Sequence, residues 1–141
     1  MLSGEIYRIE AFYGDPQSGE LLPKYLLILA LLQGGDAVAR LLTSRDYSRP
    51  RVPPCYHGDP YPGFYFGIPG GPLQRETWID LRPFDDIEVD ELTRKLRRGG
   101  ASLTMQIEVP ILLAALECVA GADDTTQRQE RALRDTLAAL R

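Results

Sequence analysis

The run Tyr25-Leu-Leu-Ile-Leu-Ala-Leu-Leu32 is the strongest constraint on what this chain can fold into. Eight consecutive apolar side chains must be covered from every side, and a membrane-spanning helix would need about 20. The run therefore reads as a buried strand or a short piece of buried helix. The residues after it decide between the two. Gln33-Gly34-Gly35-Asp36 is a turn, and Ala37-Val-Ala-Arg-Leu-Leu-Thr43 comes directly after it, which predicts two antiparallel strands joined as a hairpin.

Other strands are expected around that hairpin. Residues 4–12 mix branched and aromatic residues with charges and end at Tyr13-Gly14-Asp15-Pro16, a half-buried strand running into a turn. Residues 17–23 read as a loop rich in turn formers. Residues 48–63 hold too much proline and glycine for regular structure. A short aromatic strand is expected at 64–68 and a further one at 76–81. The period then changes. Residues 86–96 carry acids early and bases late, matching a helix dipole, and Gly99-Gly100 stops them. Residues 109–119 form a strongly apolar helix that tolerates Pro110 in its first turn. Asp123-Asp-Thr-Thr opens a last helix, with Leu133, Leu137 and Leu140 on one face. Strands followed by helices predict a single α+β domain over residues 1–141, its C-terminal extension from about 101 being helical.

Composition narrows the function classes. Twenty acids against 16 bases give a net charge of −4, which excludes indiscriminate coating of polyanions. The charge is uneven, however: residues 37–58 hold four arginines (Arg40, Arg45, Arg49 and Arg51) against Asp46 alone. Such side chains are the usual contacts to phosphate, while loop arginines also serve plain solvation. Cys55 and Cys118 stand far apart with no metal-ligand spacing. One disulfide is allowed but not demanded, and the chain reads as cytoplasmic with reduced thiols, no cofactor and no metal. No secretory signal and no membrane span are visible. His57, the single histidine, is a candidate base near neutral pH or a loop residue satisfied locally. Tyr56, Tyr61, Phe64, Tyr65 and Phe66 suit either base stacking or, by preference, a core and an interface.

An ordered series of short signals resembles the MazF/PemK family of bacterial toxins. Gly4-Glu-Ile-Tyr stands where that family opens with a Gly-Asp-Ile/Val-aromatic strand, and Lys24-Tyr-Leu-Leu-Ile-Leu resembles its Arg-Pro-Val-Leu-Val-Ile strand. Leu41-Leu-Thr43-Ser44 resembles the Pro-Ile-Thr-Ser end of the third strand, and Thr77-Trp-Ile-Asp-Leu81 followed by Asp86-Ile-Glu-Val-Asp-Glu-Leu92 resembles the late strand and helix start. The resemblance spans about residues 4–97. It implies a small, strongly curved antiparallel sheet or barrel (SH3-like, of MazF/CcdB type), a homodimer, an antitoxin protein partner and metal-independent cleavage of single-stranded RNA. It assigns the catalytic positions to Lys24 and Thr43, with Ser44 a further donor, and leaves Arg40, Arg45, Arg49, Arg51 and His57 as RNA contacts. Lys24 stands where the family has an arginine, a flexible point charge in place of a planar fork. The family's late-strand arginine–acid pair is not carried over, because Ile79 and Leu81 flank Asp80. The alternative expectation is a binding module on the same scaffold that has lost catalysis and acts on a protein partner.

Overall fold

The computed structural model describes residues 1–141 as an α+β fold. Strands β1 (Glu5–Gly14), β2 (Leu21–Leu31) and β3 (Asp36–Thr43) form a meander, with the expected Gly34-Gly35 turn between the last two. Both turn glycines take positive φ, 96° and 95°, which an L side chain rarely adopts. Strands β4 (Cys55–Tyr56), β5 (Gly63–Gly67) and β6 (Thr77–Asp80) extend the sheet on the β3 side, and the two-residue β7 (Ile87–Glu88) also pairs with β3. Helix α1 (Val89–Arg98) then leads into β8 (Ala101–Gln106), followed by α2 (Val109–Ala120) and α3 (Gln127–Leu140). All pairings are antiparallel, in the order β4-β5-β6-β3-β2-β1-β8. The sheet is open, with β4 and β8 at its ends, and does not close into a barrel.

Three expectations need correcting. Residues 21–23 are not loop: a bulge in β1 between Ile9 and Tyr13 lets Tyr13 and Gly14 pair with Leu22 and Leu21, so the hairpin runs longer than its turn formers suggest. The segment from about 101 is not helical at its start, because Ala101–Gln106 pairs with β1 as an edge strand. Its side chains are mostly exposed or half-buried, so no apolar alternation announces it. Helix α1 starts at Val89 rather than 86, Ile87 and Glu88 being held in the ladder to β3.

Alternation along the strands sorts side chains onto two faces. Ile6, Leu27, Leu29, Val38, Leu42 and Ile79 point to one, where α2 and α3 cover them in a single cluster. Tyr7, Ile9, Leu26, Ile28, Ala37 and Ala39 point to the other and meet Leu92 of α1 in a smaller one. The apolar α2 packs against α3 and the β4–β5 hairpin. Thr126 caps α3 through a reciprocal capping box with Gln129. No helix is long and apolar enough to cross a membrane.

Candidate functional site

The register of the hairpin places the first two candidate residues together. Tyr25 pairs with Leu42, so Lys24 at the start of β2 stands across from Thr43 at the end of β3, and Thr43 in turn pairs with Trp78 of β6. Strand alternation puts Lys24, Thr43 and Trp78 on the face that α1 covers only in part. One position further along the same face, Leu41 stands across from Asp80 by the same register.

Lys24, Thr43, Ser44 and Arg45 line one open cleft of about 440 Å³, closed on its far side by Gln74, Arg75 and Thr77 and flanked by Tyr13. Four of the eight predicted site residues thus converge. Thr43 Oγ1 accepts from the Arg45 backbone N–H at 3.2 Å, the local turn bond of a strand end, which leaves its hydroxyl proton for another acceptor. Lys24 Nζ sits 5.3 Å from the centroid of the Tyr13 ring. Burial lowers the Lys24 pKa below the ordinary lysine range, and the Arg45 charge adds to this against the opposing pull of Asp80 and Tyr47. Arg45 itself is exposed and bonds the Tyr47 hydroxyl at 3.1 Å, which raises the guanidinium pKa and lowers that of the phenol.

The other four lie outside this cleft; burial corrects the expectation of an RNA contact for Arg40 and Arg49, whereas Arg51 and His57 are exposed. Arg40 is fully buried on the opposite face, where it donates to Ala39 O, Phe84 O and Gln129 Oε1 and ties β3 to α3. Arg49 is 2% exposed. Its Nε donates to Tyr61 O, its Nη1 to Arg45 O, and its Nη2 lies 3.6 Å from Asp80. Arg51 is exposed but engaged, making a two-point ion pair with Glu76 over the Trp78 ring. His57 lies against the last turn of α2, bonded to Cys118 O.

Sequence reasoning also misses part of the site's surroundings. Arg82, just past β6, grips Asp80 with contacts of 2.6–3.1 Å. Burial pushes the Asp80 carboxyl up, but the Arg82 bonds and the Arg82 and Arg49 charges outweigh it and hold the pKa below the ordinary aspartate value. An arginine–acid pair therefore does stand at the end of the late strand, two residues apart, although the side chains next to Asp80 in sequence are apolar. Tyr47 and Tyr61 stack at 4.4 Å between ring centroids, and Arg49 and Arg82 both lie over the Tyr61 ring. The only sequence signal for this is the density of Arg and Tyr in residues 45–61.

Of the remaining aromatics, Phe64 and Phe66 serve the large core, and Tyr65 tilts against Trp78 while donating to Glu76. Cys55 and Cys118 are joined as a disulfide, which overturns the expectation of reduced thiols. Their sulfurs and His57 Nε2 lie within 4.8 Å of one another, a convergence that a sequence separation of 63 conceals.

The cleft offers cations and hydroxyl donors side by side with exposed rings beyond, a combination suited to a phosphate and the bases flanking it. Comparison with protein-family models, with curated proteins and with solved structures returns no match to this chain.

Proposed function

We propose that the protein is a MazF/PemK-like growth inhibitor, a metal-independent endoribonuclease that binds single-stranded RNA in the cleft at the ends of β2 and β3. The observation that carries this reading is the shared lining: Lys24, Thr43, Ser44 and Arg45 border one open space. Scaffold support extends to the α+β class and the antiparallel sheet; the curved MazF/CcdB-type barrel is part of the proposal. A homodimer and a neutralising antitoxin protein complete it.

In this reading the ribose 2′-hydroxyl attacks the adjacent phosphorus and loses its proton. The P–O5′ bond breaks and the 5′-oxygen takes up a proton, leaving a cyclic 2′,3′-phosphate and a 5′-hydroxyl. Lys24 and Arg45 supply positive charge where the phosphorane gains negative charge, and Thr43 and Ser44 donate to its non-bridging oxygens. The Tyr47–Tyr61 stack offers a ring face to a neighbouring base. The test incubates purified protein with mixed single-stranded RNA under chelator and maps the ends. Cleavage is expected, with Lys24→Ala and Thr43→Ala each lowering it about 10²-fold. Absence of cleavage at high enzyme excess, or cleavage untouched by both substitutions, rejects the reading.

A second reading, a non-catalytic module that binds a protein, is favoured by another cleft. Between β1, β2 and α1 a space of about 590 Å³ is floored by Ile9, Leu26 and Phe84 and rimmed by Asp85, Glu88 and Glu91. Acids around an apolar floor suit a cationic amphipathic segment. RNA binding that weakens steeply with salt supports the first reading; a stoichiometric protein complex with no RNA affinity supports the second.

A further inference from the structure

Chemistry-bearing side chains converge at a second place, where β4 meets the last turn of α2. Cys55 of β4 and Cys118 of α2 are bridged, their Cα atoms 5.6 Å apart. His57, two residues beyond Cys55, turns back over the bridge. Its Nε2 lies 3.3 Å from the Cys55 sulfur and 3.6 Å from the Cys118 sulfur, and donates at 2.9 Å to the Cys118 carbonyl, which has no partner within the helix end. Cys118 is buried, Cys55 half-buried and His57 exposed, so the group has a closed floor and an open lip.

We propose that reduction converts this staple into a zinc site whose ligands are Cys55 Sγ, Cys118 Sγ and His57 Nε2. With Zn–S of about 2.3 Å and Zn–N of about 2.0–2.1 Å, a tetrahedral ion holds its sulfur and nitrogen ligands about 3.5 Å apart and its two sulfurs about 3.8 Å apart. His57 Nε2 already stands at that spacing from both sulfurs. Only the sulfurs must part, which breaking their bond permits. The step balances with a low-molecular-weight thiol as reductant. Two equivalents give up two electrons and two protons and are joined as their own disulfide, while Cys55 and Cys118 become thiols. Zinc then displaces both thiol protons and is held by two thiolates. His57 releases the Cys118 carbonyl and carries its proton on Nδ1, leaving Nε2 to the metal. Two thiolates and an imidazole form a donor set that zinc accepts over magnesium or calcium, and the fourth position opens outward to water. In either state β4 stays tied to α2. The exchange therefore changes what the junction binds while keeping the sheet and helix joined.

The test uses the full chain. Protein reduced with excess monothiol and desalted under nitrogen is titrated with Zn²⁺ against a chromophoric chelator, in parallel with the oxidised protein. One equivalent is expected for the reduced form and none for the oxidised form, with Co²⁺ in place of zinc giving a thiolate-to-metal charge-transfer band. His57→Gln, at an exposed position, and Cys55→Ser are each expected to weaken binding at least tenfold, with far-ultraviolet circular dichroism confirming the fold of each variant. The proposal is overturned by no stoichiometric uptake in the reduced form, by equal uptake in the oxidised form, or by unchanged affinity in folded His57→Gln.

Discussion

On one face of the sheet α2 and α3 bury 19 residues in a single cluster; on the other α1 buries eight and stops short of Lys24, Thr43 and Asp80. The covered face carries little polar chemistry beyond Arg40 and Gln129, joined by one hydrogen bond between β3 and α3 that leaves Arg40 Nε without a partner. The partly covered face is roofed at its far end by residues 45–51, whose Arg49 lies over Gly63 and whose Pro50 carbonyl accepts from the Trp78 indole. Where helices cover the sheet, burial of apolar area supplies stability. Where only a loop covers it, polar groups such as Arg49 and Asp80 hold the structure together, and the adjoining cleft leaves Lys24, Thr43, Ser44 and Arg45 open to a ligand.

The largest expected effect tests the covered face. Leu116→Ala removes a fully buried side chain from the large cluster and should cost about 4 kcal/mol. A urea midpoint change worth less than about 1 kcal/mol would mean that the helices are loosely seated. Asp80→Asn probes the other face. It strips the counter-charge from Arg49, whose side chain is fully buried, and should cost roughly 3 kcal/mol. Because the folded Asp80 pKa is depressed, its contribution is complete above the ordinary aspartate range and is lost as pH falls through the folded value. The wild-type and Asp80→Asn melting curves should accordingly converge on acidification, and parallel curves would remove the electrostatic account.

Gly63→Ala should cost about 2 kcal/mol, since a Cβ there would stand 2.7 Å from Arg49 Cδ and force the guanidinium off Asp80. Tyr47 stacking, read by fluorescence, should loosen in the same variant. Thr126→Ala, back on the covered side, loses one cap and should cost about 1 kcal/mol with no effect on the cleft. Lys24→Met is expected to change stability least, by no more than about 0.5 kcal/mol at neutral pH. Its folded pKa is lowered, so the unfolded chain binds the extra proton and wild-type stability rises with pH through that window. Wild type should therefore gain on Lys24→Met as the pH becomes alkaline, and the opposite slope would show that the lysine is favourably paired.

The fold and the site are legible in the sequence where the determining contacts are local. The apolar run, the Gly34-Gly35 turn and the strand after it specify the β2–β3 hairpin. A bulge between Ile28 and Ala30 shifts the pairing by one residue, so the structure, not the turn, sets Lys24 across from Thr43; the sequence points to the two residues only through the family resemblance. Strand β8 escapes such a reading because an edge strand with mostly exposed side chains shows no apolar alternation. Arg40 and Arg49 mislead for a related reason. A charged residue in a basic stretch resembles a surface residue until a distant partner, Gln129 or Asp80, compensates its burial.

The sequence by itself determined that strands precede helices and where the central hairpin turns. These depend on periodicity and turn chemistry within a few residues. Only the tertiary structure decided which arginines face the cleft, that Asp80 and Arg82 stand beside it, that the sheet stays open, and that Cys55, His57 and Cys118 meet. Each of those depends on side chains or strands distant in sequence sharing a face, and local pattern carries no record of that distance.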